Sequence, residues 1–246
     1  MPQQRATRNE QRSLGLATLR KDLRTASTPE HARVAQSFFK TAPGQYGEGD
    51  RFLGIRVPVI RTFVRKYETL SLQDIDSLLD SPWHEERIVA LLILVRRYER
   101  GDNTDRDAIY DLYLRKTARI NNWDLVDCSA PQIVGVHLRD RDRAPLYVLA
   151  KSPALWERRI AMLATLHYIR EGDFRDAFAI AALLLDDRQD LIHKATGWML
   201  REIGNRDRAA EERFLRKHAA RMPRTMLRYA IEKFPAALRR TYLEIR

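Results

Sequence analysis

Apolar positions recur along this chain at helical spacing. In "DAIYDLYL", beginning at Asp107, and "DAFAIAALLL", beginning at Asp176, they return every three to four residues, the period of one helix face. No stretch shows convincing alternation of apolar and polar positions, the mark of a half-buried strand. The chain of 246 residues carries 10 Gly and 10 Pro, few for a loop-rich β protein. The pattern predicts an all-α protein.

A repeat refines that expectation. "SPWHEERIVALLILVRRYERGD" begins at Ser81 and "SPALWERRIAMLATLHYIREGD" at Ser152; the offset is 152 − 81 = 71, and 8 of the 22 positions are identical without gaps. Ser-Pro suits an N-cap followed by proline at the first helical position, and Gly-Asp suits a helix stop. Half the offset is roughly 35 residues, the length of a helical hairpin in HEAT-like arrays. At that spacing Ala90, Val126, Ala161 and Gly197 become equivalent buried positions. Flanking pairs near "RFLGIRVPVIRTFVRKY" and "RMPRTMLRYAIEKF" would close the ends. The expectation is a short curved α-solenoid of about six helix pairs, one domain over 1–246, with 1–12 a flexible basic tail; the alternative is an irregular helical bundle.

Equivalent positions of a solenoid point the same way. The column through Trp123 also holds Arg87, Arg158 and Lys194, and the next turn holds Leu91, Asp127, Met162 and Trp198. This predicts a basic and aromatic stripe along one side of four helices, as a duplex backbone would need.

Charge strengthens the picture. The balance is 44 basic against 33 acidic residues, a formal +11, which favours a polyanion, nucleic acid ahead of an anionic membrane. Solubility alone is the plainer account of such an excess. Of the basic residues 8 are Lys and 36 Arg, a skew suited to bidentate phosphate contacts but also produced by codon bias. A single cysteine, Cys128, excludes a disulfide framework and a Cys-rich metal site, and it fits a reducing cytoplasmic setting. No apolar run is long enough to span a membrane, and "MPQQRATRNEQRSLG" lacks the apolar core of a secretory signal. The six histidines show no ligand spacing, so neither metal nor cofactor is expected.

Candidate chemistry centres on "NNWDLVDC", 121–128. Trp123 and Asp127 are spaced i, i+4 and share one helix face. Asn122 is placed to cap that helix, Asp124 to serve its first turn, and Pro131 to end or kink it. Lys194 and Trp198 repeat the i, i+4 spacing later in the chain. Trp83 and Trp156 read as core, and Cys128 as a small buried thiol with no base beside it.

"FLGIRVPVIR", "INNWDLVDCSAPQIVG", "LWERRIAML" and "HKATGWMLRE" together resemble the AlkD-type DNA alkylation-repair glycosylases over roughly residues 33–234. Those are HEAT-like repeat proteins that excise cationic N3- and N7-alkylated purines. The resemblance implies that Trp123 and Trp198 pack around the lesion's deoxyribose and that Asp127 is the catalytic carboxylate. It also implies a phosphate contact at Arg159 or its neighbour Arg158, and DNA contacts at Arg56 and Arg61. The repeat column adds Lys194 and Arg87 to the DNA-binding set. The chain departs from the family pattern twice: Asn122 stands where a second Trp is frequent, and "TAPGQYGEGDR", 41–51, is longer than usual.

The expected protein is therefore a monomeric, monofunctional glycosylase acting on double-stranded DNA that contains alkylated bases, nucleoid-associated in a bacterial cytoplasm. Two other readings compete. A non-catalytic DNA-binding repeat protein would not require Trp123, Asp127 and Trp198 together, and a protein–protein scaffold would favour an acidic or apolar concave face.

Overall fold

The computed structural model describes residues 15–245, and the expected basic tail at 1–12 lies outside them. Among the described residues there is no strand, only an isolated bridge pairing Arg51 with Trp83. The chain is all-α, as the periodicity predicts. It divides into two compact units, Met1–Ser129 and Ala130–Arg246, within what reads in sequence as one array.

The first unit contains α1 (described over 15–25), α2 (Pro29–Phe38), α3 (Val57–Lys66), α4 (Leu72–Leu79), α5 (His84–Arg100), α6 (Asn103–Arg115) and α7 (Trp123–Asp127). Helix α5 is its centre and packs on α3, α4, α6 and α7. Its buried residues, from His84 through Leu94 to Tyr98, lie on every side, as expected of a helix enclosed by neighbours. Ser71 and Asp74 form a reciprocal capping box that starts α4, and Asp102 caps α6 through the Asp105 amide. Gly54 has a φ of +79°, and a side chain there would also strike the backbone at Thr28 and Ala32, at the start of α2. Only glycine satisfies both conditions.

The second unit contains α8 (Ala144–Ala150), α9 (Leu155–Ala164), α10 (Leu166–Arg170), α11 (Arg175–Leu183), α12 (Asp190–Gly204), α13 (Arg208–His218), α14 (Arg224–Ala230) and α15 (Ala236–Glu244). Its centre is α12, which packs on α9, α10, α11, α13 and α14. Gly197 lets α14 approach, since a Cβ would meet the Met226 carbonyl and the Tyr229 side chain. Pro131 opens a π-helical turn, Pro131–Gly135.

The predicted buried column holds: Ala90, Val126, Ala161 and Gly197 are all buried. The Ser-Pro starts differ from expectation. Helices α5 and α9 begin at His84 and Leu155, after N-caps Trp83 and Ala154 that make no side-chain cap. Ser81 Oγ instead accepts from the Trp83 amide at 3.1 Å, and Ser152 Oγ from the Ala154 amide at 3.0 Å. Each serine thus shapes the turn ahead of its helix.

Candidate active site

Asn122 starts α7: its Oδ1 accepts from the Trp123 amide at 2.9 Å, while its Nδ2 donates to Asp50 at 3.1 Å. The five-residue helix then places Trp123 and Asp127 one turn apart, both half-buried. Leu125 and Val126 point into the core between them, which fixes which face is presented.

The indole is backed by a stack of rings. Trp123 lies 5.4 Å from Phe39, Phe39 lies 5.0 Å from Phe52, and Phe52 lies 4.6 Å from His84, with interplanar angles of 21°, 15° and 24°. Phe38 meets Trp123 edge-on at 6.0 Å. Such contacts are worth about 0.5–1.5 kcal/mol each beyond burial. They hold Trp123 without closing it off.

Behind the stack sits a buried ionic cluster. His84 contacts Asp124 through Nε2 at 2.8 Å and Asp50 through Nδ1 at 3.3 Å. Arg87 donates to Asp50 at 2.5 Å and to the Ser81 carbonyl at 2.9 Å. Burial opposes charge on the imidazole, but Asp124 and Asp50 outweigh it and raise the His84 pKa to about 9. Burial likewise opposes charge on Asp50, yet hydrogen bonds from His84 and Asn122 and the Arg87 charge hold that carboxyl below its usual range. Glu85, also buried, accepts from the amides of Leu53 (2.8 Å), Gly54 (2.8 Å) and Ile55 (3.2 Å). Asp124 therefore does more than serve the helix end: it is the nearer carboxylate partner of the buried imidazole.

The two sequence departures prove to be one feature. Asp50 comes from the long "TAPGQYGEGDR" stretch, and its partner is Asn122, the residue standing in place of a second Trp. A tryptophan at 122 would leave Asp50 short of a hydrogen-bond donor in a fully buried position.

Three expected DNA contacts are engaged within the fold. Arg87 is only 2% exposed and donates through Nη1 and Nη2 to Ser81 and Asp50, so it belongs to the core. Arg158 is used in the same way, donating to the Ser152 carbonyl at 2.9 Å and to Asp187 at 2.6 Å. Arg159 is 5% exposed and donates to the Leu191 carbonyl at 2.6 Å, joining α9 to the start of α12. Leu91 and Met162 are buried as well. Trp123, Asp127, Lys194 and Trp198 remain half-exposed, and Arg56 and Arg61 are exposed. Lys194 pairs with Asp190 at 2.8 Å, and Trp198 Nε1 donates to Glu202 at 3.2 Å. Burial pushes the Cys128 thiol pKa up, leaving it a poor nucleophile. Among the described residues no group of His, Cys, Asp and Glu comes together to hold a metal ion, and no helix is long and apolar enough to cross a membrane.

His84, Asp50 and the Phe38, Phe39 and Phe52 rings carry no motif that marks them in the sequence. One signal was present: His84 aligns with Leu155 between the two repeat copies, a polar residue at a core position.

An all-α repeat protein with a tryptophan–aspartate pair on a short helix is the class that fold and site define. A family model described as DNA alkylation repair enzyme matches residues 19–234, and the chain belongs to that family. Among solved structures, it is similar to a predicted DNA alkylation repair enzyme from Enterococcus faecalis, at 17% identity, with a TM-score of 0.67, covering 85% of this chain and 97% of that one. That likeness shows the shared fold. No curated protein matches the chain.

Proposed function

We propose that this DNA alkylation repair enzyme is a monofunctional N-glycosylase that releases N3- and N7-alkylated purines from double-stranded DNA. The observation that supports it most is the half-exposed Asp127 carboxylate one turn from Trp123, whose ring is braced by Phe39.

Alkylation at N3 or N7 makes the purine a cation within the nucleotide. When the C1′–N bond breaks, its electron pair neutralises the departing base, and positive charge moves to the sugar. A carboxylate near C1′ stabilises that oxocarbenium ion. It also orients water; the new C1′–O bond forms as the water gives up a proton to the carboxylate and then to solvent. The braced indole of Trp123 adds cation–π stabilisation of about 0.5–2 kcal/mol. Because the leaving base carries its own charge, no general acid is required, and the base need not enter a deep pocket for the bond to break. In the second unit Trp198 is proposed as a further DNA contact. Arg56, Arg61 and Lys194 are proposed to meet phosphates, which explains an aspartate in a basic protein: cations gather the DNA, and the carboxylate meets the one place where positive charge develops.

The test is an oligonucleotide carrying a single 7-methylguanine, assayed for abasic sites. The native protein should release the base, and Asp127→Asn should abolish release while leaving DNA affinity within about twofold, since no phosphate contact changes. An Asp127→Asn protein that excises normally refutes the assignment.

A further inference from the structure

Beside Trp123 the first unit holds a cavity of about 350 Å³. Its apolar walls come from Val34 and Phe38 of α2, Val57 and Ile60 of α3, and Phe52 and Ile88. Phe38, Val34 and Val57 are 63%, 64% and 49% exposed, a concentration of bare apolar surface of the kind that marks binding sites. Asp124, His84 and Glu85 line the cavity, with Asp50 and Arg87 linked to them behind. In that cluster Asp124 and Asp50 flank His84 and Arg87 pairs with Asp50, while the Glu85 carboxylate is held separately by the amides of Leu53, Gly54 and Ile55. Arg56 and His31 also line it, their side chains in contact at 3.1 Å.

We propose that this cavity binds an alkylated purine nucleotide, with the cationic ring against Phe38 and toward Asp124 and the phosphate at Arg56 and His31. The volume suits one nucleoside-sized ligand. A flat cation gains from the exposed Phe38 ring and from the Asp124 carboxylate on the same wall set, while a neutral purine gains only from the apolar walls. Arg56, already offered as a phosphate contact, supplies the opposite charge where the phosphate needs it. The assignment rests on the glycosylase reading for its choice of alkylated purines. It extends that reading by giving the protein a place to hold a damaged nucleotide that is unstacked or free.

The test uses the full-length protein without DNA and calorimetric titration with three probes: 7-methylguanosine 5′-monophosphate, guanosine 5′-monophosphate and 7-methylguanosine. The methylated nucleotide should bind about tenfold tighter than the unmethylated one. Phe38→Ala, at an exposed ring, should remove that discrimination, and Arg56→Ala should lower the nucleotide's affinity to that of the nucleoside. Equal binding of the two nucleotides, or discrimination that survives Phe38→Ala, overturns the proposal. Asp127→Asn should bind the methylated nucleotide as the native protein does. A native protein that binds the methylated nucleotide but releases no base from DNA therefore counts against the glycosylase reading alone, and excision without nucleotide binding counts against the cavity alone.

Discussion

The two copies of the repeat, 81–102 and 152–173, share an arginine that does one job in two settings. Arg87 and Arg158 each donate Nη1 to the carbonyl of the serine six residues earlier, at 2.9 Å in both copies. The acid partner differs. Asp50 precedes its copy in the chain, and Asp187 follows its own. The repeat thus encodes a clamp that folds the Ser-Pro turn against its helix, and a neighbouring segment completes it with a carboxylate. In the first copy the clamp is enclosed and merges with His84, Asp124 and Asn122 next to the candidate catalytic pair. In the second it is a partly exposed ion pair, with Leu155 where His84 would be.

The largest expected effect breaks the clamp. Arg87→Met leaves Asp50 buried with its main counter-charge gone and should destabilise the protein by about 3–5 kcal/mol in denaturant titration. Arg158→Met exposes its partner to more solvent and should cost about 1–2 kcal/mol. Equal losses would show that the two settings are energetically the same.

Next comes the group that only the first copy possesses. A histidine whose pKa is raised in the folded state adds stability in full below its unfolded value near 6.5, and that contribution disappears as pH rises through about 9. The shift corresponds to at most about 3 kcal/mol. Thermal unfolding should therefore show stability falling between these pH values, and His84→Gln should flatten the slope. A native protein with no slope in that window would mean that His84 is neutral when folded.

A third test sets satisfied buried acids against an unsatisfied one. Glu85 and Glu86 both have donors, from backbone amides and from Arg20 and Arg24. Glu211 of α13 is buried over Gly204 with its Oε1 unpartnered, and burial pushes its pKa up to about 8. The folded state then holds a proton that the unfolded chain has released above pH ~4.5, so stability declines from there to about 8. Glu211→Gln should stabilise the protein by roughly 2–4 kcal/mol at pH 9 and hardly at all at pH 5. An equal effect at both pH values would assign the gain to packing rather than charge.

These contrasts show what was legible in the sequence and what was not. Helical spacing in "DAIYDLYL" exposed α6 because burial of Ile109, Tyr110, Leu112 and Tyr113 writes a period into the chain. The column Ala90, Val126, Ala161 and Gly197 was legible because close helix contact admits only small or compact residues. Trp123 and Asp127 were legible as a pair because both lie on one short helix. The arginine column was legible only as charge, since a cation that clamps a turn and one that meets phosphate have the same letter; only the acid partner distinguishes them, and Asp50 lies 37 residues from Arg87. The ring stack from Trp123 to His84 joins residues from four separate stretches, which no local pattern records.

The smallest effect completes the comparison at the surface. If the clamp arginines serve the fold and the exposed arginines serve DNA, the two sets should respond differently to salt. Each phosphate contact releases about one counterion, so removing one contact reduces the slope of log affinity against log salt by about 1. Arg56→Ala and Arg61→Ala should each reduce that slope by about this amount, with affinity falling equally for damaged and undamaged duplex, because phosphates carry no record of the lesion. Arg158→Met, measured where the protein is fully folded, should leave the slope unchanged, since its guanidinium is already neutralised by Asp187. If Arg158→Met flattened the slope and the exposed arginines did not, the division between clamp and contact would have to be reversed. The basic column first seen in the repeat would then be the DNA-facing surface after all.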